Sequence, residues 1–444
     1  MAQIKGAQGK FHETTALVNR HGTLVDSGNP LPIVGTTENP WGKQVLLVDD
    51  DTVQHTSKNR RKVSTYEVTD FNTFTYGKDV DIWDELVVGT GSSTHDPYLG
   101  MVELEVGSDS GDSIIRQTAR IQRYLPGRAN EVSMSVIFGS QTSGIRKRFG
   151  VFDDDKGAYF EDDGDDLYCV LRRDTAGGED EERYSRANWS VDKLDGTGPS
   201  GITLDLSKIQ LMVIEYEWYG AGQVEWKFVI DNNAISIHKI DHANTHDHTW
   251  ASRGALPVRI ELTNVDGIAG THSVYQGSHS FLTEGTTTLL GRQKSISSAI
   301  TGKSLTSANT FYPIVAIRLK ADALNSVVLP DEYSGATLDN SSMFIRAIED
   351  ATVTGGTWVS YDSDSPIEYN ITATGYTNGN ILGTTYVSSG NMGQKVEFPE
   401  RSITQLARKT TTTLGDTTTT FLIAVASTGS NKTGWADLGW IEVR

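Results

Sequence analysis

Cysteine is almost missing from this chain: its 444 residues hold one, Cys169. A single thiol excludes a disulfide framework and a cysteine-based metal site within one chain. It lies in the apolar run Leu167-Tyr168-Cys169-Val170-Leu171, where a cysteine acts as a small buried hydrophobe. Proline is scarce, at 11 residues, which excludes a collagen-like or proline-rich linker protein. No stretch reaches the roughly 18 consecutive apolar residues of a membrane span, so no membrane partner is expected. The start, Met1-Ala2-Gln3-Ile4-Lys5-Gly6, lacks the apolar core of a secretory signal. Basic residues are in deficit, 39 Lys and Arg against 57 Asp and Glu, for a net charge of −18. Such a surface repels phosphate backbones, so nucleic acid is not an expected partner. Windows with the helical period of apolar residues are nearly absent.

Glycine is abundant, at 44 residues, and short runs of alternating apolar and polar residues bounded by Gly, Asp and Asn recur throughout. That pattern predicts an all-β, multidomain chain. At roughly 100–200 residues per domain, the length accommodates two to four. Residues 1–98 read as an extended N-terminal arm and attachment region, with one strand at Gln44–Val48, another at Ser64–Phe71, and one or two helical turns in Val80–Val87. Residues 99–265 carry the densest strand pattern and read as a β-sandwich or jelly roll. Its clearest passage is a meander, Arg148–Phe152, Ala158–Glu161 and Leu167–Arg173, whose turns are the Asp- and Gly-rich segments 153–157 and 162–166. These residues tolerate the positive φ of tight turns. Residues 266–310 read as a connecting segment that carries one or two strands, and 311–444 as a second, sandwich-like β domain that includes a Thr-rich hairpin around Leu414-Gly415-Asp416.

Four sets of residues are candidates for chemistry or binding. His238, His242, His246 and His248, with Asp241 and Asp247 among them, have the ligand types for zinc or a similar divalent ion. The alternative is a polar loop with its histidines satisfied by hydrogen bonds. Asp153, Asp154, Asp155, Asp162, Asp163, Asp165 and Asp166 offer oxygens to calcium, but the calcium-loop spacing is not matched, and exposed turn residues are the plain reading. Glu215 and Glu217 alternate on one strand beside aromatics, an arrangement only loosely compatible with a glycosidase carboxylate pair. Trp218, Tyr219 and Trp226 are candidates for stacking on sugars, with core packing as the alternative. No phosphate loop or nucleophile elbow is present. The residues alone therefore predict a structural or binding protein, not an enzyme, with no cofactor unless the histidines hold a metal.

The order Tyr124-Leu125-Pro126-Gly127-Arg128, then the meander, then Asp192-Lys193-Leu194-Asp195-Gly196-Thr197-Gly198-Pro199-Ser200-Gly201, Glu217-Trp218-Tyr219-Gly220-Ala221-Gly222 and His242-Ala243-Asn244 resembles a family of tailed-phage virion structural proteins of the marine and cyanophage type. The resemblance spans roughly residues 115–265. It implies a lectin-like β-sandwich in a tail fibre or a baseplate–fibre adaptor that serves assembly and host attachment. It also implies synthesis in the host cytoplasm, incorporation into the virion, and partners among tail or baseplate proteins and host-surface glycan. A homo-oligomer, with a trimer favoured, is the expected state. A head-surface fibre or decoration protein is the alternative, and a polysaccharide-degrading tailspike a more remote one.

Overall fold

The computed structural model describes residues 66–443 apart from 123, 286–290, 338, 390–392, 398–405, 407 and 410–414, together with 2–5 and 11–14. The chain divides into two units, Met1–Val63 and Ser64–Arg444. In the first, Ala2–Lys5 pairs antiparallel with Phe11–Thr14. The strand expected at Gln44–Val48 lies outside the described residues, as does the first arm of the Thr-rich hairpin. The only helical element among the described residues is a single 3-10 turn, Arg186–Asn188, and no helix is long and apolar enough to cross a membrane.

The second unit is all-β, as the alternation predicts. A seven-stranded antiparallel sheet runs in the order Gly178–Ser185, Leu167–Thr175, Gly157–Asp162, Ile145–Phe152, Val258–Asn264, Ser113–Thr118, Trp83–Val88. An eight-stranded sheet runs Asn233–Ile240, Val224–Ile230, Gln210–Tyr216, Asn130–Ile137, His272–Glu284, Met101–Val106, Ser92–Asp96, with Tyr66–Asn72 also paired to His272–Glu284. Alternate residues of both sheets meet in one core: Phe149, Val151, Phe160 and Leu262 from the first, Met134, Ile214, Trp226 and Phe228 from the second. This is the sandwich geometry, in which each strand sends every second side chain inward.

The expected boundaries of 99–265 fall short at both ends. Strands from Tyr66 to Asp96 belong to the sandwich and not to an arm. Val80–Val87 is not helical, because Trp83–Val88 pairs with Ser113–Thr118 and buries Trp83 in the core. Within the expected connecting segment, His272–Glu284 lies inside the eight-stranded sheet and pairs with three neighbours. Its inward positions include Gln276, His279 and Thr283, all buried, so its polar composition concealed a core strand.

The C-terminal sandwich packs a five-stranded sheet built around Lys432–Val443 against a six-stranded sheet, Val359–Ser360, Ile367–Asn370, Tyr312–Leu319, Phe421–Ser427, Met343–Glu349, Asn380–Val387. Leu438 and Trp440 from one sheet meet Ile317, Ile345 and Ile423 from the other in a separate core. Gly291–Ser297 and Lys303–Leu305, also placed in the connecting segment, are strands on the flank of Lys432–Val443.

Phe160 is fully buried in the first core, stacked on Phe149 at 6.4 Å and edge-on to Phe228 at 5.3 Å. It joins the two sheets directly. Phe160→Ala removes that volume, and the loss of stability in chemical denaturation is expected to be about 3–5 kcal/mol.

Candidate functional site

The seven-stranded sheet carries charge on the face opposite its core. Arg148, Tyr159, Glu161, Arg172, Arg259 and Glu261 alternate with the core residues of their strands, yet all six are buried. They bury one another. Arg148 donates to Glu161 at 2.5 Å and pairs with Glu261 at 3.5 Å. Arg259 bridges Glu261 at 2.5 Å and Asp154 at 2.7 Å. Arg172 pairs with Glu181 at 2.7 Å, and the Tyr159 hydroxyl donates to the same carboxylate at 2.6 Å. The guanidinium groups of Arg148 and Arg172 lie 5.2 and 5.1 Å from the Tyr159 ring. Burial alone would raise the Glu181 carboxyl; the Tyr159 hydroxyl and Arg172 outweigh it and hold it below the usual value.

The acidic turns beside this face cap their own backbones. Asp153 Oδ1 accepts from the Asp155 and Lys156 N–H groups at 3.1 and 3.0 Å, and its other oxygen binds Arg253. Asp163 does the same for Asp165 and Asp166, while Asp162 accepts from Gly164 N–H and pairs with Lys147. These carboxylates converge on N–H groups and cations and form no calcium cradle.

Glu215, the first member of the expected carboxylate pair, is held by Lys227 at 2.6 Å, and Lys227 also reaches Glu225 at 3.1 Å. Glu215 and Glu225 stand opposite each other across the ladder, so Lys227 is shared by two facing carboxylates, and Lys239 also pairs with Glu225 at 3.0 Å. Burial alone would lower its ammonium; the two carboxylates outweigh burial and hold it above the ordinary lysine value. Glu217 lies beyond the strand's end at Tyr216 and is buried.

Of the three aromatics expected to stack on sugars, Trp226 is fully buried and its Nε1 donates across the core to the Tyr159 carbonyl at 3.2 Å. It is a core residue, because it alternates with Val224 and Phe228 on the inward face. Trp218 is half-buried, edge-on to Tyr124 at 5.4 Å, and donates to the Ala251 carbonyl at 3.1 Å. Tyr219, with φ 43°, is the one of the three whose ring is substantially in solvent.

The histidines separate into one and three. His238 lies on the edge strand Asn233–Ile240; its Nδ1 accepts from the Ser190 N–H at 3.0 Å, and its ring packs against Tyr184 at 4.4 Å. It does not join the others. His242, His246 and His248 do converge, each presenting one ring nitrogen within 4.8 Å of the other two. The segment that follows the edge strand builds this arrangement. The His242 carbonyl accepts from the Thr245 and His246 N–H groups, both at 3.1 Å, and Asn244 takes a left-handed φ of 62°, which asparagine tolerates. This single turn stacks the His242 and His246 rings at 4.2 Å. Trp250 then anchors the segment: its N–H donates to the Gly220 carbonyl at 3.2 Å, and its buried ring meets Tyr216 edge-on at 5.7 Å. His248 Nδ1 lies 2.9 Å from Asp247 Oδ1. His242 is 98 % buried, and neither of its ring nitrogens has a hydrogen-bond partner. Burial, followed by the neighbouring His246, lowers its pKa to about 4, which keeps the ring neutral.

No protein-family model and no curated protein matches this chain. Among solved structures, the chain is similar to a glycoside hydrolase family 16 endo-glucanase from Bacteroides ovatus, at 11 % identity over 48 % of this chain and all of that one, with a TM-score of 0.33. It is also similar to a family 16 glycosyl hydrolase from Mycobacterium smegmatis, at 10 % identity over 48 % of this chain and all of that one, TM-score 0.34. A legume lectin-like domain from Entamoeba histolytica is 13 % identical over 46 % of this chain and 90 % of its own, TM-score 0.30. The expectation that the chain is not an enzyme is overturned by the hydrolase matches and does not stand. The likeness is one of fold and assigns no residue a role.

Two measurements follow from the buried polar groups. Burial lowers His238 from its ordinary 6.5 to about 4, so the unfolded chain takes up this proton first as the solution is acidified. Stability is therefore expected to be lost as pH falls from about 6.5 towards 4, and His238→Gln should flatten that part of the melting-temperature profile. Lys227→Met removes the cation shared by two facing buried carboxylates, of which Glu225 keeps Lys239, and a loss of about 3–5 kcal/mol in denaturant unfolding is expected.

Proposed function

We propose that this chain is a structural subunit of a tailed-phage particle, in a tail fibre or in the baseplate adaptor that attaches one, and that it assembles as a homo-oligomer, with a trimer favoured. The observation that carries the reading is an unprotected sheet edge. Asn380–Val387 ends the six-stranded sheet and pairs on one side only, with Met343–Glu349. It is eight residues long and exposes Ile381, Leu382 and Tyr386. An eight-residue edge with apolar side chains in solvent and no second strand beside it among the described residues is a template for another chain, and subunits of a particle use such edges to join. The resemblance of residues 115–265 to virion structural proteins supports the same reading. Host-surface glycan is the ligand class proposed for the exposed end of the first sandwich, where Tyr219 stands in solvent.

Immunogold microscopy of purified particles with antibody to the C-terminal sandwich tests the placement. Label at the tail or baseplate is the expected result; label over the head would transfer the chain to the decoration class, and absence of label at an accessible epitope would remove the virion reading. The edge itself is tested by Leu382→Lys in light scattering of the purified protein. The unsubstituted chain is expected to be oligomeric and the variant to dissociate; a monomeric parent, or a variant of unchanged mass, overturns assembly through this strand.

A further inference from the structure

We propose that His242, His246 and His248 form a zinc site, with three imidazole ligands from one short segment and a fourth position open to solvent. This is independent of the particle role. The donor set is three imidazoles with no thiolate and no carboxylate among the converging atoms, which suits zinc and its late first-row neighbours and disfavours calcium and magnesium.

Two observations beyond the clustering point to an ion. His242 is buried with both ring nitrogens unpartnered, a costly state for polar atoms unless something occupies the space they face. His248 has its Nδ1 held by Asp247 while its Nε2 is buried and unpartnered. A carboxylate on one nitrogen fixes the tautomer that leaves the other nitrogen's lone pair free, the usual outer-shell device of a metal-bound histidine. The ligand atoms lie within 4.8 Å of one another. Tetrahedral zinc at about 2.0–2.1 Å from each nitrogen brings them to roughly 3.4 Å, a closure of about an ångström or slightly more that the partly exposed His246 and His248 supply by small torsional shifts around the buried His242. The metal would fasten the segment after the edge strand and leave one position to water or to an anionic group. Asp247 is a positioning residue, since it acts through His248.

The test uses the full-length chain without an affinity tag, stripped with EDTA, returned to buffer and titrated with zinc chloride by calorimetry, with metal content read by mass spectrometry. One zinc per chain is expected. His246→Gln is expected to weaken binding at least tenfold, and Asp247→Asn roughly 10–100-fold. His246 is partly exposed and Asp247 fully exposed, and far-ultraviolet circular dichroism checks that the variants fold. Cobalt in place of zinc is expected to give the intense visible absorption of a tetrahedral site in the parent and to lose it in His246→Gln. Stoichiometry well below one, an unchanged isotherm in His246→Gln, or only the weak absorption of octahedral cobalt overturns the site. Because the cobalt spectrum is read on the parent protein, it decides the question even if a variant fails to fold.

Discussion

The central strands of the seven-stranded sheet are buried on both faces, and the rest of the first sandwich follows from that constraint. All six residues of Gly157–Asp162 are buried, as are seven of the eight in Ile145–Phe152. The inward half is satisfied by apolar contact. The outward half carries only a small apolar cluster, Phe152, Tyr159 and Val170, and the rest is satisfied by charge: arginines bridging glutamates on neighbouring strands, with Tyr159 and Phe152 beneath the guanidinium groups. Such a ladder requires every member, since a buried charge without its partner is far more costly than a paired one. The ladder also requires room. Gly150 stands across from Tyr159, where a Cβ would come within 2.3 Å of the Ala158 carbonyl oxygen.

That constraint explains which parts of the fold were legible in the sequence. Strands whose inward residues are all apolar, such as Val224–Ile230, declare themselves by period-two alternation. The same alternation places Trp226 inward with Val224 and Phe228, a signal present in the sequence and outweighed there by the attraction of an aromatic cluster. His272–Glu284 is hard to read because half of its buried positions are the polar Gln276, His279 and Thr283, against Val274, Gly277 and Phe281. A β-bulge between Gln276 and His279 also breaks the alternation that would have marked it. Trp83–Val88 was read as helical because Asp81, Asp84 and Glu85 mask a short strand. In each case the missing information is tertiary: which polar side chain finds a partner.

The candidate site divides along the same line. The carboxylates that drew attention in sequence, Glu215 and the aspartates of the two turns, are bound to N–H groups or cations that sequence spacing does not reveal. The imidazoles of His242 and His246 differ, because their convergence comes from a local turn closed by the His242 carbonyl and from the left-handed Asn244. Spacing of four in a turn, followed by His248 two residues on, was readable; the exclusion of His238 was not. It depends on the Ser190 N–H, 48 residues away in sequence.

The edges of the two sandwiches give the last step. One edge of the first is covered, since the Val191 and Asp192 N–H groups both donate to the Ile237 carbonyl. Another, Gly178–Ser185, is lined with Glu179, Asp180, Glu181, Glu182 and Arg183, and charge of that density opposes the approach of a second strand. Asn380–Val387 has no charged residue along its eight positions and leaves Ile381, Leu382 and Tyr386 in water. Within one chain, then, two edges are defended by different means and a third is not. A free apolar edge is a liability in a protein that acts alone and an asset in one that assembles. The undefended strand is therefore the physical feature on which the proposed assembly into a particle rests.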